Sequence, residues 1–135
     1  MLHEKSILIV EDELLIALDI ADRVCAMGGV PVGPFATVAE AMAAIAVHAI
    51  HGAILDAMLL DRDITPVAVH LVERTIPLVI YTGTGLPQEL RDLHPHLPVV
   101  MKPARVETLL DRLVRRMINP NDGAPEGPAG LAELL

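Results

Sequence analysis

Five short apolar runs alternate with five helix-length amphipathic stretches along this chain, and that rhythm limits the fold more than any other feature. Residues 6–10, Ser-Ile-Leu-Ile-Val, run apolar after the serine, as in a strand buried on both faces. Residues 13–27 read as a helix that stops at Gly28-Gly29. Residues 30–34, interrupted by Pro31 and Pro34, make a poor second strand. Thr37 and Glu40 have capping-box spacing and open the second helix. Residues 52–56 form the third strand, and Thr65-Pro66 predicts an N-cap followed by proline at N1 for a helix ending near Arg74. Residues 77–81 make the fourth strand, Pro87 opens a short helix, and residues 97–101 make the fifth strand. Pro103 is expected at N1 of a last helix that runs to about Ile118.

Alternating βα units imply a parallel sheet covered by helices on both sides, with right-handed crossovers. Proline cannot donate to a sheet ladder and so belongs at edges or strand starts. Strands one and three carry none, whereas strand two carries Pro31 and Pro34 and strand five carries Pro98. That distribution selects the strand order 2-1-3-4-5, a flavodoxin-like α/β fold of the doubly wound (βα)5 type. Residues 1–118 are expected to be the folded domain. Residues 119–135, rich in Pro and Gly, read as a flexible tail.

Several classes of function are excluded at this point. Ten basic against eighteen acidic residues give a formal charge of −8, with no basic stripe to attract a phosphate backbone. Phe35 and Tyr81 are the only aromatic residues, so no stacking platform for bases exists, and the core must be aliphatic. Cys25 is alone and forms no internal disulfide, which fits a reducing compartment. The first residues lack the charged start and apolar run of a signal peptide, and no apolar stretch is long enough to span a bilayer. The expectation is a small cytoplasmic domain that binds neither nucleic acid nor membrane.

In a sheet of this order, ligands bind beyond the carboxyl ends of the strands, near the switch point between strands one and three. Strand one ends in Glu11-Asp12-Glu13, strand three in Asp56, strand four in Tyr81-Thr82-Gly83, and strand five in Met101-Lys102-Pro103. Each feature has an ordinary explanation by itself. An acidic run suits a helix N-terminus, Asp56 and Thr82-Gly83 suit turns, and Lys102 suits solvent. Four such coincidences at four strand ends favour a shared chemistry. Clustered carboxylates suit a hard divalent cation such as Mg²⁺. A carboxylate beside that cation can act as a nucleophile and form an acyl phosphate. A lysine and a hydroxyl would neutralise and bond the phosphoryl oxygens.

These residues resemble the receiver domain of two-component response regulators, over residues 5–118, in the stand-alone form. The resemblance rests on Glu11-Asp12, Asp56, Thr82-Gly83 and Lys102-Pro103 in this order and spacing. It implies that Asp56 accepts a phosphoryl group from a phosphohistidine on a sensor kinase or histidine-phosphotransfer protein. Asp12 and Asp56 would hold Mg²⁺, with Glu11 acting directly or through water and Met58 lending its backbone carbonyl. Lys102 would pair with Asp56 or the phosphoryl group, and Thr82 would report its arrival. The domain would act as a phosphorylation switch or phosphoryl shuttle through protein contacts, assisting its own phosphorylation and dephosphorylation rather than working as an enzyme on other substrates. Val99 departs from the pattern, because receivers commonly carry Tyr or Phe three residues before the lysine. Ile80-Tyr81-Thr82-Gly83 only partly resembles the Phe-Ala-Thr-Gly signature of one stand-alone subgroup.

Helical periodicity places Leu14, Ala17, Leu18, Ala21, Val24 and Cys25 on one core face of the first helix. Ile16 and Ile20 fall on a second apolar stripe, expected to dock a helical phosphotransfer partner. The charged last helix, with Arg105, Glu107, Asp111, Arg112, Arg115 and Arg116, is where receivers often form homodimers. The rival readings are a phosphorylation-independent binding module and a flavin-binding protein. The latter needs a phosphate-cradling loop after strand one, where Glu11-Asp12-Glu13 would repel the ligand.

Overall fold

A computed structural model describes residues 1–120. Its five strands are all parallel: β1 (Ser6–Val10), β2 (Val30–Phe35), β3 (Gly52–Asp56), β4 (Leu78–Thr82) and β5 (Val99–Met101). They lie in the order β2-β1-β3-β4-β5. The helices α1 (Leu14–Ala26), α2 (Val38–Val47), α3 (Thr65–Glu73), α4 (Gln88–Leu93) and α5 (Val106–Ile118) alternate with them. The edges are β2, which bears Pro31 and Pro34, and β5, which Pro98 directly precedes, and at an edge a missing N–H costs no ladder bond. The expected tail past residue 120 lies outside the described residues.

Each strand sends alternate side chains to opposite faces, so the sheet carries two cores. On one side Leu8, Val10, Leu55 and Ile80 meet α2, α3 and α4 through Ala41, Val67 and Leu90. On the other, Ile7, Ile9, Ile54, Val79 and Tyr81 meet α1 and α5 through Ile20, Val24, Leu109 and Leu113. Every residue of the central strand β3 is buried, which explains its unbroken apolar run.

Helix α1 is rotated away from the expected orientation. Ala17, Ile20 and Val24 point into the core, while Leu14, Leu15, Leu18 and Cys25 are exposed. Ile20 is fully buried and Ile16 half-buried against the same core, so the expected Ile16–Ile20 docking stripe is not a surface. Asp19, Asp22 and Arg23 mark the solvent side, but the apolar arc opposite them is too wide for periodicity to fix its centre. The choice falls to packing. Leu2 is buried and its N–H donates to Met27 O at 2.9 Å, and it packs with Val24 so tightly that a Cβ on Gly29 would lie 2.8 Å from Leu2 and 2.9 Å from Val24.

Two helix starts also differ from expectation. In α3 the N-cap position is Ile64, and the Thr65 N–H is met by the Asp63 carboxylate at 2.9 Å. Helix α5 begins at Val106, not at Pro103. The backbone at the N-cap residue Arg105 is extended, and just before it the Tyr81 hydroxyl holds both backbone polar groups of Ala104. Helix α2 opens as expected, with Thr37 Oγ1 accepting the Glu40 N–H at 3.1 Å. A second cap comes from far along the chain: the Asp61 carboxylate accepts the Val38 and Ala39 N–H groups at 2.8 and 3.0 Å. The Val38 N–H, helped by those of Ala39 and Arg62, holds the Asp61 carboxyl below its ordinary value despite opposing desolvation. Asp61 thereby ties the β3–α3 loop to the N-terminus of α2.

Candidate functional site

The carboxyl ends of β1, β3, β4 and β5 meet at one edge of the sheet, and their parallel register brings distant residues level. Val10 pairs with Leu55, Asp56 with Tyr81, and Thr82 with Met101. Glu11 therefore lies beside Asp56, and Lys102 follows directly on the level of Thr82. Glu11 and Asp56 share the α1–α5 face of the sheet, because they follow Ile9 and Ile54 by two residues.

Glu11, Asp12 and Asp56 converge, each with a carboxylate oxygen within 4.8 Å of the others. The Lys102 ammonium faces this group. Its Nζ lies 3.3 Å from Glu11 Oε1, 3.3 Å from Asp56 Oδ2 and 3.5 Å from Glu13 Oε1. Glu11 and Asp56 are buried, whereas the Glu13 carboxylate is mostly in solvent. Glu13 was legible as part of the acidic run, but its ion pair with Lys102 was not. Met58 donates its N–H to Asp56 Oδ1 at 3.5 Å and bridges to Asp63 across the β3–α3 loop.

Three carboxylates share one ammonium here, and the electrostatics show it. Burial, reinforced by the neighbouring Asp56, pushes the Glu11 carboxyl up from 4.5 to about 8, despite opposing help from the Glu13 N–H and Lys102. Desolvation works against the Lys102 charge, yet the negative Glu11 and Asp56 outweigh it and raise the ammonium pKa. A buried carboxylate that is short of positive charge, among hard oxygen donors, is the environment a divalent cation satisfies. The three carboxylates fit that role.

Thr82 is buried, and its hydroxyl bonds within its own loop. Oγ1 accepts the Thr84 N–H at 3.1 Å and donates to Gly85 O at 3.2 Å. It makes no hydrogen bond to Asp56. Val99 is half-buried against the core formed with α2, α3 and α4. No ring occupies that position, and the nearest aromatic is Tyr81, whose ring centroid lies 5.0 Å from Lys102 Nζ. Among the described residues, no helix is long and apolar enough to cross a membrane.

Neither a protein-family model nor a curated protein matches the chain. Solved structures do. SdrG from Sphingomonas melonis Fr1 is 35% identical, with a TM-score of 0.69, covering 87% of this chain and 99% of SdrG. A BeF3-activated conformation of SdrG, from Pseudomonas melonis Fr1, is 36% identical over the same shares of the two chains, with a TM-score of 0.64. A CheY-like response regulator receiver domain protein from Methanospirillum hungatei JF-1 is 25% identical, with a TM-score of 0.69, over 87% of this chain and 97% of that one. With the fold, the strand order and the acidic cluster at the strand ends, these likenesses establish that the chain belongs to the response regulator receiver domain family.

Proposed function

We propose that the chain is a receiver that stores a phosphoryl group on Asp56 and works as a phosphorylation switch or phosphoryl shuttle in two-component signalling. One observation carries this reading: the Asp56 carboxylate at the end of β3 lies beside those of Glu11 and Asp12 and 3.3 Å from the Lys102 ammonium. The BeF3-activated form of the related SdrG supports it, as does the match over nearly all of SdrG's length.

An Asp56 oxygen attacks the phosphorus of a phosphohistidine on a sensor kinase or histidine-phosphotransfer protein. The P–N bond breaks, the new P–O bond forms an acyl phosphate, and the donor imidazole leaves with the electron pair. Asp12, Asp56, the Met58 backbone carbonyl and, directly or through water, Glu11 would hold Mg²⁺, whose charge would neutralise that building on the transferred oxygens. Lys102 exchanges its bond to the Asp56 carboxylate for one to a phosphoryl oxygen. Thr82 gives its hydroxyl to another oxygen and leaves Gly85 O and the Thr84 N–H, so the β4–α4 loop registers the event. The partner's helices dock on the exposed Leu14, Leu15 and Leu18 of α1, which take over the role expected of Ile16 and Ile20.

The test is intact mass after incubation with acetyl phosphate and Mg²⁺, wild type beside Asp56→Asn. A Mg²⁺-dependent phosphoryl adduct, labile to hydroxylamine and absent from the variant, is the expected result. A second reading, a phosphorylation-independent binding module, draws on the lack of a ring at Val99. Absence of an adduct from both acetyl phosphate and a phosphorylated histidine donor, with Mg²⁺ bound, would establish that reading instead.

A further inference from the structure

We propose that Tyr81 is a positioning residue for Lys102: its ring supports the ammonium while its hydroxyl clasps the loop that carries it. This rests on the phosphoacceptor reading of Asp56. Lys102 has a flexible four-carbon stem, and three carboxylates compete for its charge at 3.3 to 3.5 Å. Glu13 is the solvent-facing competitor, and capture by it would draw the ammonium away from Asp56. Something must hold the lysine inward.

Tyr81 is placed to do so. It is 5% exposed, sits in β4 level with Asp56 on one side and Val100 on the other, and shares the α1–α5 core with Ile9 and Ile54. Lys102 Nζ lies 5.0 Å from the ring centroid, within range of the electron-rich face. The phenol uses both its capacities on one residue of the loop. It donates to Ala104 O at 3.0 Å and accepts the Ala104 N–H at 3.1 Å. The segment between Met101 in β5 and Ala104 is therefore held at both ends, with Lys102 in the middle. Phe35, the only other benzene ring in the chain, packs on the opposite face of the sheet.

Two variants separate the parts of this arrangement. Tyr81→Phe keeps the ring and the core volume and removes the clasp, whereas Tyr81→Leu keeps an apolar core and removes both. The maximal rate of adduct formation from acetyl phosphate, at saturating Mg²⁺, is expected to fall about threefold to tenfold in Tyr81→Phe. It falls a further two- to fivefold, roughly, in Tyr81→Leu. Mg²⁺ affinity, which belongs to the carboxylates, stays unchanged in Tyr81→Phe. By NMR, the Ala104 amide exchanges faster in both variants, and the ring-current shift of the Lys102 side chain persists in the Phe variant and disappears in the Leu variant. Should Tyr81→Leu fail to fold, the Phe variant decides alone. A wild-type rate in Tyr81→Phe overturns the proposal. So does a parallel fall of rate, Mg²⁺ affinity and melting temperature, the mark of general loosening. If the wild-type chain takes no phosphoryl group, the phosphoacceptor reading fails instead, and the Ala104 exchange and Lys102 shift then decide whether Tyr81 holds the lysine.

Discussion

Glu11 should make the metal-free protein less stable as the pH rises. Its folded-state carboxyl is raised from 4.5 to about 8, first by burial and then by Asp56. Between those values the folded chain keeps a proton that the unfolded chain has released. The stabilisation is complete below the unfolded value and is lost as the pH climbs through the folded one. A rise of that size corresponds to about 5 kcal/mol at ~1.4 kcal/mol per pH unit, a ceiling that Asp56 and Lys102 share. Replacing Glu11 by Gln, a neutral isostere of the protonated acid, should remove the slope. The assay is urea unfolding of both proteins in chelator, from about pH 5 to about pH 8.5, reading the difference between them so that the histidines and other common groups cancel. Wild type should lose a few kcal/mol relative to the variant across that window (roughly 3–5). Saturating Mg²⁺ should remove the loss in wild type, since the ionised carboxylate is then the form that binds. Equal slopes in the two proteins, or a wild type that gains on the variant as the pH rises, would refute the reasoning.

Other perturbations test separate parts of the structure. Asp61→Ala removes the acceptor for two N–H groups of α2, so its melting temperature should fall below wild type at neutral pH. Because the Asp61 carboxyl is depressed below 3.8, that difference should be present above this value and shrink as the pH falls through the lower folded one, as thermal scans in acid will show. Ile20→Lys places an ammonium in the sealed α1–α5 core and should cost on the order of 3–5 kcal/mol by denaturant titration. Leu15→Lys, at a 78% exposed position, should leave stability alone but slow transfer from a histidine-phosphotransfer donor while sparing acetyl phosphate. Equal slowing with both donors would rule out α1 as the docking surface.

Much of the site was readable because it rides on strand ends. A parallel sheet whose edge strands are marked by Pro31, Pro34 and Pro98 admits one order, and that order sends Glu11, Asp12, Asp56, Thr82 and Lys102 to a common edge. Residue type then says what such a cluster can do: hard oxygen donors, one ammonium, one hydroxyl. The contacts of Glu13 and Tyr81 were not legible, for different reasons. Glu13 stands in an acidic run that suits a helix N-terminus, and nothing local pairs it with Lys102. Tyr81 stands at the end of a strand, and its hydroxyl reaches a loop 23 residues away in sequence.

What the amino-acid order determined alone is therefore periodic or local: the succession of strands and helices, the Thr37 cap, the edge strands, and the chemistry offered at each strand end. Only the tertiary structure decided which part of the wide apolar arc of α1 is buried, and there Leu2 shares the core with Ile20 and Val24. It alone set Asp61 on the N-terminus of α2 and moved the start of α5 from Pro103 to Val106. It alone raised the Glu11 carboxyl, since burial and the approach of Asp56 exist only once β1 and β3 are side by side. Periodicity reports how a segment partitions between water and an interior. The partner that a side chain meets there is fixed by contacts between segments far apart in the chain, and those contacts leave no mark in a local pattern.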